Sequence, residues 1–541
     1  MPQPSARRPF WIPLLLFGAL VLSAGCSADT DSERPYNVVL VTLDTSRADY
    51  FGCYADLPRQ PIHPTAETPN FDALAAEGVR FNQGIATAAV TPVAHAAILT
   101  GLFNHQHGLR VMYADGGFRL PKDRPTIFTE LKQRGWQTGA FHSAFPVSDF
   151  FGLGEGFDTY ETIESEMQGG KGGAQWGVQE AQRTADKTTD LALSFLGNAD
   201  GPYAMWIHYW DPHDSVEVPP GVSRPSYQID MTGLPEDPEA QKAEINARFQ
   251  RLSPAERERV LSQYFADSFV LYAKELGYVD QQFGRLVNAL KDRGDWERTI
   301  VIVVADHGEG LTDHGWNYHR VLYQEQIRVP YLLRVPGAQG GTDGRKIESL
   351  VRTVDLAPTV FDYLGIEAGF MNGRSLRPLI EQTGDDPRIA FAEQVNGYDF
   401  NAGPGLRAQR PQDMFVYCAV DDRWKLLYRP HDPSASELFD LDADPLEQVN
   451  VYAVDHPEAQ RLRVVLARQR PWVSEPFPKL EGVSESEMAS AQARIRANGY
   501  AQGEISTGEW SWACPVHVDE PNDCESCATC GEPPIPVGLD N

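Results

Sequence analysis

Cysteine, long apolar runs and basic charge are all scarce in this chain, and each scarcity narrows what it can be. Of seven cysteines in 541 residues, Cys53 and Cys418 stand isolated, and Cys514, Cys524, Cys527 and Cys530 crowd the C-terminus. The body must therefore be held by its core, and the length allows one large domain plus a smaller one. The one apolar stretch of note, residues 10–21, is too short and too abruptly ended to span a bilayer. Lysine and arginine total 47 against 75 acids, a net charge of −28. A field of that sign argues against nucleic acid as a partner and repels polyanions, so local positive groups or a metal must hold any anion. Internal repeats are absent.

What is present begins with a leader. Arg7 and Arg8, the apolar run, and then Ala24, Gly25 and Cys26 describe a secretory signal over residues 1–25. A cysteine directly after Ala-Gly resembles a bacterial lipoprotein cleavage site, with Cys26 as the acylated terminus and 26–35 as a polar tether. The alternative is a plain signal peptide with an incidental cysteine. Either way the mature chain loses two arginines and no acid, reaching −30. The expected location is a bacterial envelope membrane, on its periplasmic or outer face, reached through the lipid anchor only. In the tail, residues 476–541, the spacing Cys524-x2-Cys527-x2-Cys530 suits zinc or an iron–sulfur cluster, but export favours disulfides.

Chemistry concentrates at three places. Residues 37–43 form an apolar, β-branched run closed by Asp44, and residues 299–305 repeat the design before Asp306, His307 and Gly308. Such runs suit strands buried on both faces of a parallel sheet, whose carboxyl ends are where open α/β sheets place ligands. A lone strand-ending Asp is often a helix cap; two, one followed by His, point to a shared divalent metal. Thr91 precedes Pro92 and the helix formers Ala96 to Leu99. That order predicts a helix with Thr91 at its N-cap, Pro92 in the first turn and a hydroxyl beside free amides. Alone this is only a capped helix; beside the two strand ends it is a nucleophile.

These segments resemble the sulfatase family of the alkaline phosphatase superfamily. So do Thr68-Pro69-Asn70-Phe71-Asp72, Leu99-Thr100-Gly101, His105-Gln106-His107-Gly108, Ile327-Arg328-Val329-Pro330 and Glu437-Leu438-Phe439-Asp440-Leu441 with Asp444-Pro445. The ordered set, from about residue 37 to 450, carries the resemblance. It implies an α/β fold with a central, mostly parallel sheet between helices over residues 36–385. A smaller antiparallel-sheet subdomain over 386–475 should follow, with a hairpin turning at 421–423 and a helix at 457–470. It further implies one divalent ion (Ca²⁺, Mn²⁺ or Zn²⁺) on Asp44, Thr91, Asp306 and His307. His213 falls where the family contacts the leaving oxygen, and imidazole chemistry suits a general acid. Asp211 would orient a histidine or approach a second metal. His142, His319 and Arg320 are weaker substrate contacts, weighed against an interior histidine and a solvated loop. Between these, residues 215–255 look like an irregular insertion, and 261–293 like a helix broken at Gly277.

The departures from the family decide the chemistry. Sulfatases carry Cys or Ser at the nucleophile, Pro two residues on and Arg four on; here stand Thr91, Val93 and His95. Thr45 replaces a common second acid, and the usual grip lysines are missing. Threonine cannot become formylglycine, because its Cβ carries a methyl. Direct attack by Thr91 remains, with His95 one turn on and in reach of the anion. The expected function is hydrolysis of a small-molecule or glycan sulfate ester. Hydrolysis of phosphoesters, phosphodiesters or phosphonates is the alternative, and an inactive binding lipoprotein the third.

Overall fold

In the computed structural model the described residues are 35–469, less 162–181, 339–343, 368, 403 and part of 214–236. The leader, Cys26, the tether and the cysteine-rich tail lie outside them. Among the described residues no helix is long and apolar enough to cross a membrane.

The large sheet is built on two apolar runs. β1 (Asn37–Leu43) and β6 (Thr299–Ala305) are buried along their whole length and pair in parallel. On the other side of β1 runs β5 (Tyr203–Tyr209), then β3 (Gln137–His142) and β4 (Thr159–Glu161), all parallel. Beyond β6 the direction reverses. β8 (Tyr331–Arg334) is antiparallel to β6 and to β2 (Val79–Ile85), and β2 also pairs with β7 (Arg328–Val329) and, in parallel, with β9 (Arg345–Arg352). The result is the expected mostly parallel sheet, with nine strands among the described residues and an antiparallel side beyond β6. Pure aliphatic runs end up in its middle because only there are both faces dry.

The helices show where local signals mislead. α1 (Pro69–Glu77) stops at Gly78, whose φ of −134° is no left-handed cap. A Cβ there would lie 2.5 Å from the Leu333 carbonyl oxygen, so glycine is required by close approach to β8. α2 (Thr91–Thr100) is buried at every position and ends on Gly101 at φ 68°, a true left-handed cap. α3 (Ile127–Gln133) is closed by a Thr126–Thr129 capping box, and α4 (Ala185–Asn198) packs on β3 and β5. The presumed irregular insertion contains α5 (Pro238–Arg251), capped by Asp237. α6 runs unbroken from Pro254 to Arg293, 40 residues, opened by the Ser253–Glu256 capping box. Gly277 does not break it; a Cβ there would sit 3.2 Å from the Glu67 carbonyl oxygen, where α6 passes close to the chain entering α1. α7 (Leu356–Tyr363) packs on α2.

A second, antiparallel sheet follows at the C-terminus: β10 (Ala390–Gln394), β11 (Val416–Val420), β12 (Trp424–Tyr428) and β13 (Glu437–Asp440), with α8 (Pro457–Gln469) against it. The expected hairpin joins β11 and β12. This sheet is tied back to the loops after α2. Glu393 takes both guanidinium arms of Arg110 at 2.6 and 2.7 Å, and Asp399 accepts the amides of Met112 and Tyr113.

Candidate active site

The register of β1 on β6, Leu43 opposite Ala305, sets Asp44 and Asp306 side by side at the carboxyl ends of adjacent strands. Both are fully buried. Asp306 Oδ1 accepts the amides of Thr45 (3.2 Å) and His307 (2.7 Å), while its Oδ2 and both oxygens of Asp44 make no hydrogen bond of ordinary geometry. Donor atoms of Asp44, Asp306 and His307 lie within 4.8 Å of one another. Burial first, then the Glu309 charge, pushes the Asp44 carboxyl well up, eased by the nearby Thr91 hydroxyl; burial and then Asp44 do the same to Asp306. Two dry, mutually repelling carboxylates with bare oxygens and an imidazole beside them form a donor set that a divalent cation fits.

His307 is oriented by its own backbone. Its Nδ1 donates to the Gly308 carbonyl at 2.9 Å, leaving Nε2 as the acceptor, 3.3 Å from Thr91 Oγ1. Thr91 is the first residue of α2, with Val90 as the extended N-cap, one position from the expected cap. The consequence is small, since its hydroxyl still stands at the first turn, only 4 % exposed, facing the cluster.

His95 sits differently from the expectation. Its Nδ1 donates to the Thr91 carbonyl (2.8 Å) and its Nε2 meets the Thr42 hydroxyl (3.0 Å), with Asp306 Oδ2 3.6 Å from Nδ1. Both nitrogens are engaged beneath Thr91, so the ring braces the first turn of α2 and has no nitrogen left over for an anion. Sequence patterning missed the polar pair that completes this floor, Thr42 of β1 and His208 of β5, which lie opposite each other in register. Their one signal was a polar side chain inside an otherwise apolar strand.

Other imidazoles ring the cluster. His213 stacks on Trp210 (3.9 Å between centroids) and faces His319 at 5.5 Å, and His319 lies 4.9 Å from His307. Burial, then the neighbouring imidazoles, holds His213 well below its ordinary pKa, which disfavours the imidazolium that a general acid would need. His319, pushed down to about 3 by burial and then by Arg320, lies 3.3 Å from Glu309 Oε2. Arg320 is buried, not solvated; Asp399 takes its guanidinium at 2.7 Å. That ion pair competes with any grip on a substrate anion. His142 is buried at the end of β3 opposite His208 and packs on Tyr160, away from the loop imidazoles. The Asp211 carboxylate accepts the Ala185 amide at 3.0 Å at the start of α4.

Comparison with known proteins identifies the family and the fold. The sulfatase family model covers residues 36–366, and a second model, described as N-sulphoglucosamine sulphohydrolase, C-terminal, covers 312–470. An N-acetylglucosamine-6-O-sulfatase of Bacteroides thetaiotaomicron is 24% identical over 81% of this chain and 86% of its own. A multifunctional alkaline phosphatase superfamily protein, PehA of Trinickia caryophylli, is 25% identical over 77% and 91%. Among solved structures, one in complex with its substrate D-glucosamine-2-N,6-O-disulfate superposes with a TM-score of 0.58 at 22% identity, over 87% of this chain and 100% of the other. The phosphonate monoester hydrolase of Agrobacterium radiobacter gives 0.58 at 22%, over 80% and 94%. With more than half of its length under the first family model and the fold to match, the chain belongs to the sulfatase family of sulfuric ester hydrolases.

Proposed function

We propose that this enzyme cleaves sulfate esters with unmodified Thr91 as nucleophile, beside a divalent ion held by Asp44, Asp306 and His307. The observation that carries the reading is the Thr91 hydroxyl at the first turn of α2, 3.3 Å from His307 Nε2 at the edge of the carboxylate pair. A bound Ca²⁺, Mn²⁺ or Zn²⁺ would supply charge screening and a lowered hydroxyl pKa. Thr91 Oγ, its proton passed to water, attacks sulfur; the bond from sulfur to the alcohol oxygen breaks, and that oxygen leaves hydrogen-bonded to His213 and takes up a proton from water as the alcohol. Water hydrolyses the resulting threonine ester, returning sulfate and the free hydroxyl. Unpaired amides at the start of α2, Pro92 apart, would be the donors to the developing oxyanion.

A glycan or small anionic ester is the substrate class we favour, supported by relatives that act on, or bind, sulfated glucosamines. Phosphonate or phosphodiester hydrolysis is the second reading. It draws on a nucleophile that needs no formylglycine and on likeness to a phosphonate monoester hydrolase. We also propose that Cys26 anchors the mature enzyme to an envelope membrane, motivated by Ala24-Gly25-Cys26 behind the apolar run; Cys26→Ser should move it to the soluble fraction.

The test is a panel of aryl sulfates, phosphate mono- and diesters and phosphonates, each with Ca²⁺, Mn²⁺ and Zn²⁺. On the best pair, Thr91→Ala should lose turnover by about 10³-fold or more, while Thr91→Ser keeps a measurable part. A Thr91→Ala enzyme at the wild-type rate would sink the mechanism in favour of an activated water.

A further inference from the structure

Beside the Arg320–Asp399 pair stands a second arginine. Arg407 is half-buried on the short helix Pro404–Gln409. Its Nε donates to the Ala402 carbonyl at 3.2 Å, and its Nη2 reaches the Asn396 and Gly397 carbonyls at 3.4 and 3.5 Å, both long for such bonds. Among the described residues Nη1 has no hydrogen-bond partner and the guanidinium no ion pair. Asp399 is the acid that acts on it, but Asp399 is already full. Its Oδ1 accepts the Tyr113 and Asn401 amides at 3.1 and 2.9 Å, and its Oδ2 the Met112 amide at 3.0 Å and Arg320 at 2.7 Å. Four bonds occupy the four lone pairs that a carboxylate offers. Arg407 is thus a positive charge left over. Burial disfavours that charge, with Asp399 offsetting part of the cost and Arg320 adding to it, yet a guanidinium keeps its proton. A cation drawn partly out of water with only carbonyl partners is short of an anion.

Asn396 joins this arginine to the loop after β6. Its carbonyl accepts Arg407 Nη2, and its Nδ2 donates to the Arg320 carbonyl at 2.9 Å. Arg320 sits at φ 80°, a conformation that costs a non-glycine residue free energy, and that bond and Asp399 hold it there. The residue before it is His319, whose ring lies 4.9 Å from His307. Through Met112 and Tyr113 the same carboxylate ties in the loop after α2. Arg407 therefore stands where the loop carrying His319, the loop after α2 and the connection between β10 and β11 are fastened together. We infer, on the proposed hydrolysis of an anionic glycan ester, that Arg407 is a specificity-determining residue. It takes a second oxyanion of the substrate, a carboxylate or a sulfate carried apart from the ester that is cleaved. The planar fork of N–H groups suits the paired oxygens of either.

Three sugars test this on wild type, Arg407→Gln and Arg407→Lys. They are N-acetylglucosamine 6-sulfate, glucosamine 2-N,6-O-disulfate, and 6-sulfated N-acetylglucosamine linked to a uronic acid. Wild type should prefer at least one of the two doubly acidic sugars by about tenfold or more in KM, with similar kcat. Arg407→Gln should abolish that preference while raising the KM for the first sugar far less. Arg407→Lys keeps the charge without the fork and should retain part of the preference. Whether the N-sulfate or the uronate loses its advantage tells which oxyanion is held. No preference in wild type, or one that survives in Arg407→Gln, overturns the assignment. So does an equal loss on all three sugars, which would mark Arg407 as a structural brace. Should wild type cleave none of them, the sulfatase reading fails for this class of substrate, and calorimetric titration of the same sugars decides Arg407 through the same comparison of Kd. Thermal melts check folding; should Arg407→Gln not fold, the wild-type preference and Arg407→Lys still decide.

Discussion

Among the described residues two clusters bring two carboxylates and an imidazole within 4.8 Å: Asp44, Asp306 and His307, and His314, Glu325 and Glu447. Residue types do not distinguish them; their charge partners do. In the second cluster His314 Nδ1 faces Glu325 at 3.0 Å and Nε2 faces the Glu447 carbonyl at 3.1 Å, so both nitrogens meet acceptors. Burial works against the imidazolium, yet Glu325 and then Glu447 outweigh it and lift His314 to about 9. Lys425, fully buried, pairs with Glu447 Oε1 at 2.6 Å, a contact that is close though poorly aligned, and the Gln324 amide donates to Oε2. The second cluster thus carries its own cations. Asp44 and Asp306 face no lysine or arginine among the described residues; both oxygens of Asp44 and Oδ2 of Asp306 are bare, and burial drives both carboxyls toward protonation. A metal site is recognised by charge left without an internal partner, not by a composition of acids and histidines.

Removing one charged group from each cluster should therefore have different consequences. Asp306→Asn should lose bound divalent ion and turnover together, by about 10³-fold or more in kcat/KM, because the charge that holds the ion is halved. Elemental analysis of dialysed protein checks it, and full occupancy would refute the site. In the second cluster the loss is one of stability. Lys425→Met leaves Glu447 buried without its cation and should cost about 3–5 kcal/mol by denaturant titration. Metal content per folded molecule should stay at the wild-type level. Replacing both, Lys425→Met with Glu447→Leu, should recover much of that loss; if it recovers none, the pair is not the main element there.

The same contrast separates what the sequence could tell from what it could not. Asp44, Asp306 and His307 were legible because an apolar run that ends on a carboxylate announces a buried strand and its ligand edge at once. The register of β1 on β6, which makes them neighbours, follows from two runs of equal length sharing the sheet's dry middle. The loop after β6 was not legible. Glu309, Asp313, His314, His319 and Arg320 look like one polar cluster, but the fold divides them. Glu309 and His319 face the site, Asp313 binds Arg47 and His63, His314 joins Glu325 and Glu447, and Arg320 goes to Asp399. Their partners come from positions as far apart as 47, 399 and 447, and no local pattern encodes which long-range partner wins. Thr42 and His208 were hidden for a related reason: one polar residue in a strand has no meaning until the opposite strand's register is known.

The smallest expected effect is also the cleanest test of the second cluster's self-sufficiency, because it is read as a pH dependence. His314 stacks on Tyr323 at 3.8 Å between Glu325 and the Glu447 carbonyl, and its pKa is raised from 6.5 to about 9. A raised folded-state pKa means that the folded protein binds the proton more tightly than the unfolded chain. The stabilisation is therefore complete below about pH 6.5 and disappears as pH rises through about 9. Its ceiling is roughly 3 kcal/mol, the free-energy equivalent of the shift, and the partial exposure of the ring should reduce it. His314→Gln keeps a hydrogen-bonding side chain but cannot titrate. Denaturant melts at pH 6, 7.5 and 9 should show wild type losing stability across that range relative to His314→Gln, with the two converging at the alkaline end. A difference that stays flat with pH would mean that folding does not raise the His314 pKa, leaving the ring largely uncharged at neutral pH. The second cluster would then lack one of its own cations, and the distinction between the two sites would rest on Lys425 alone.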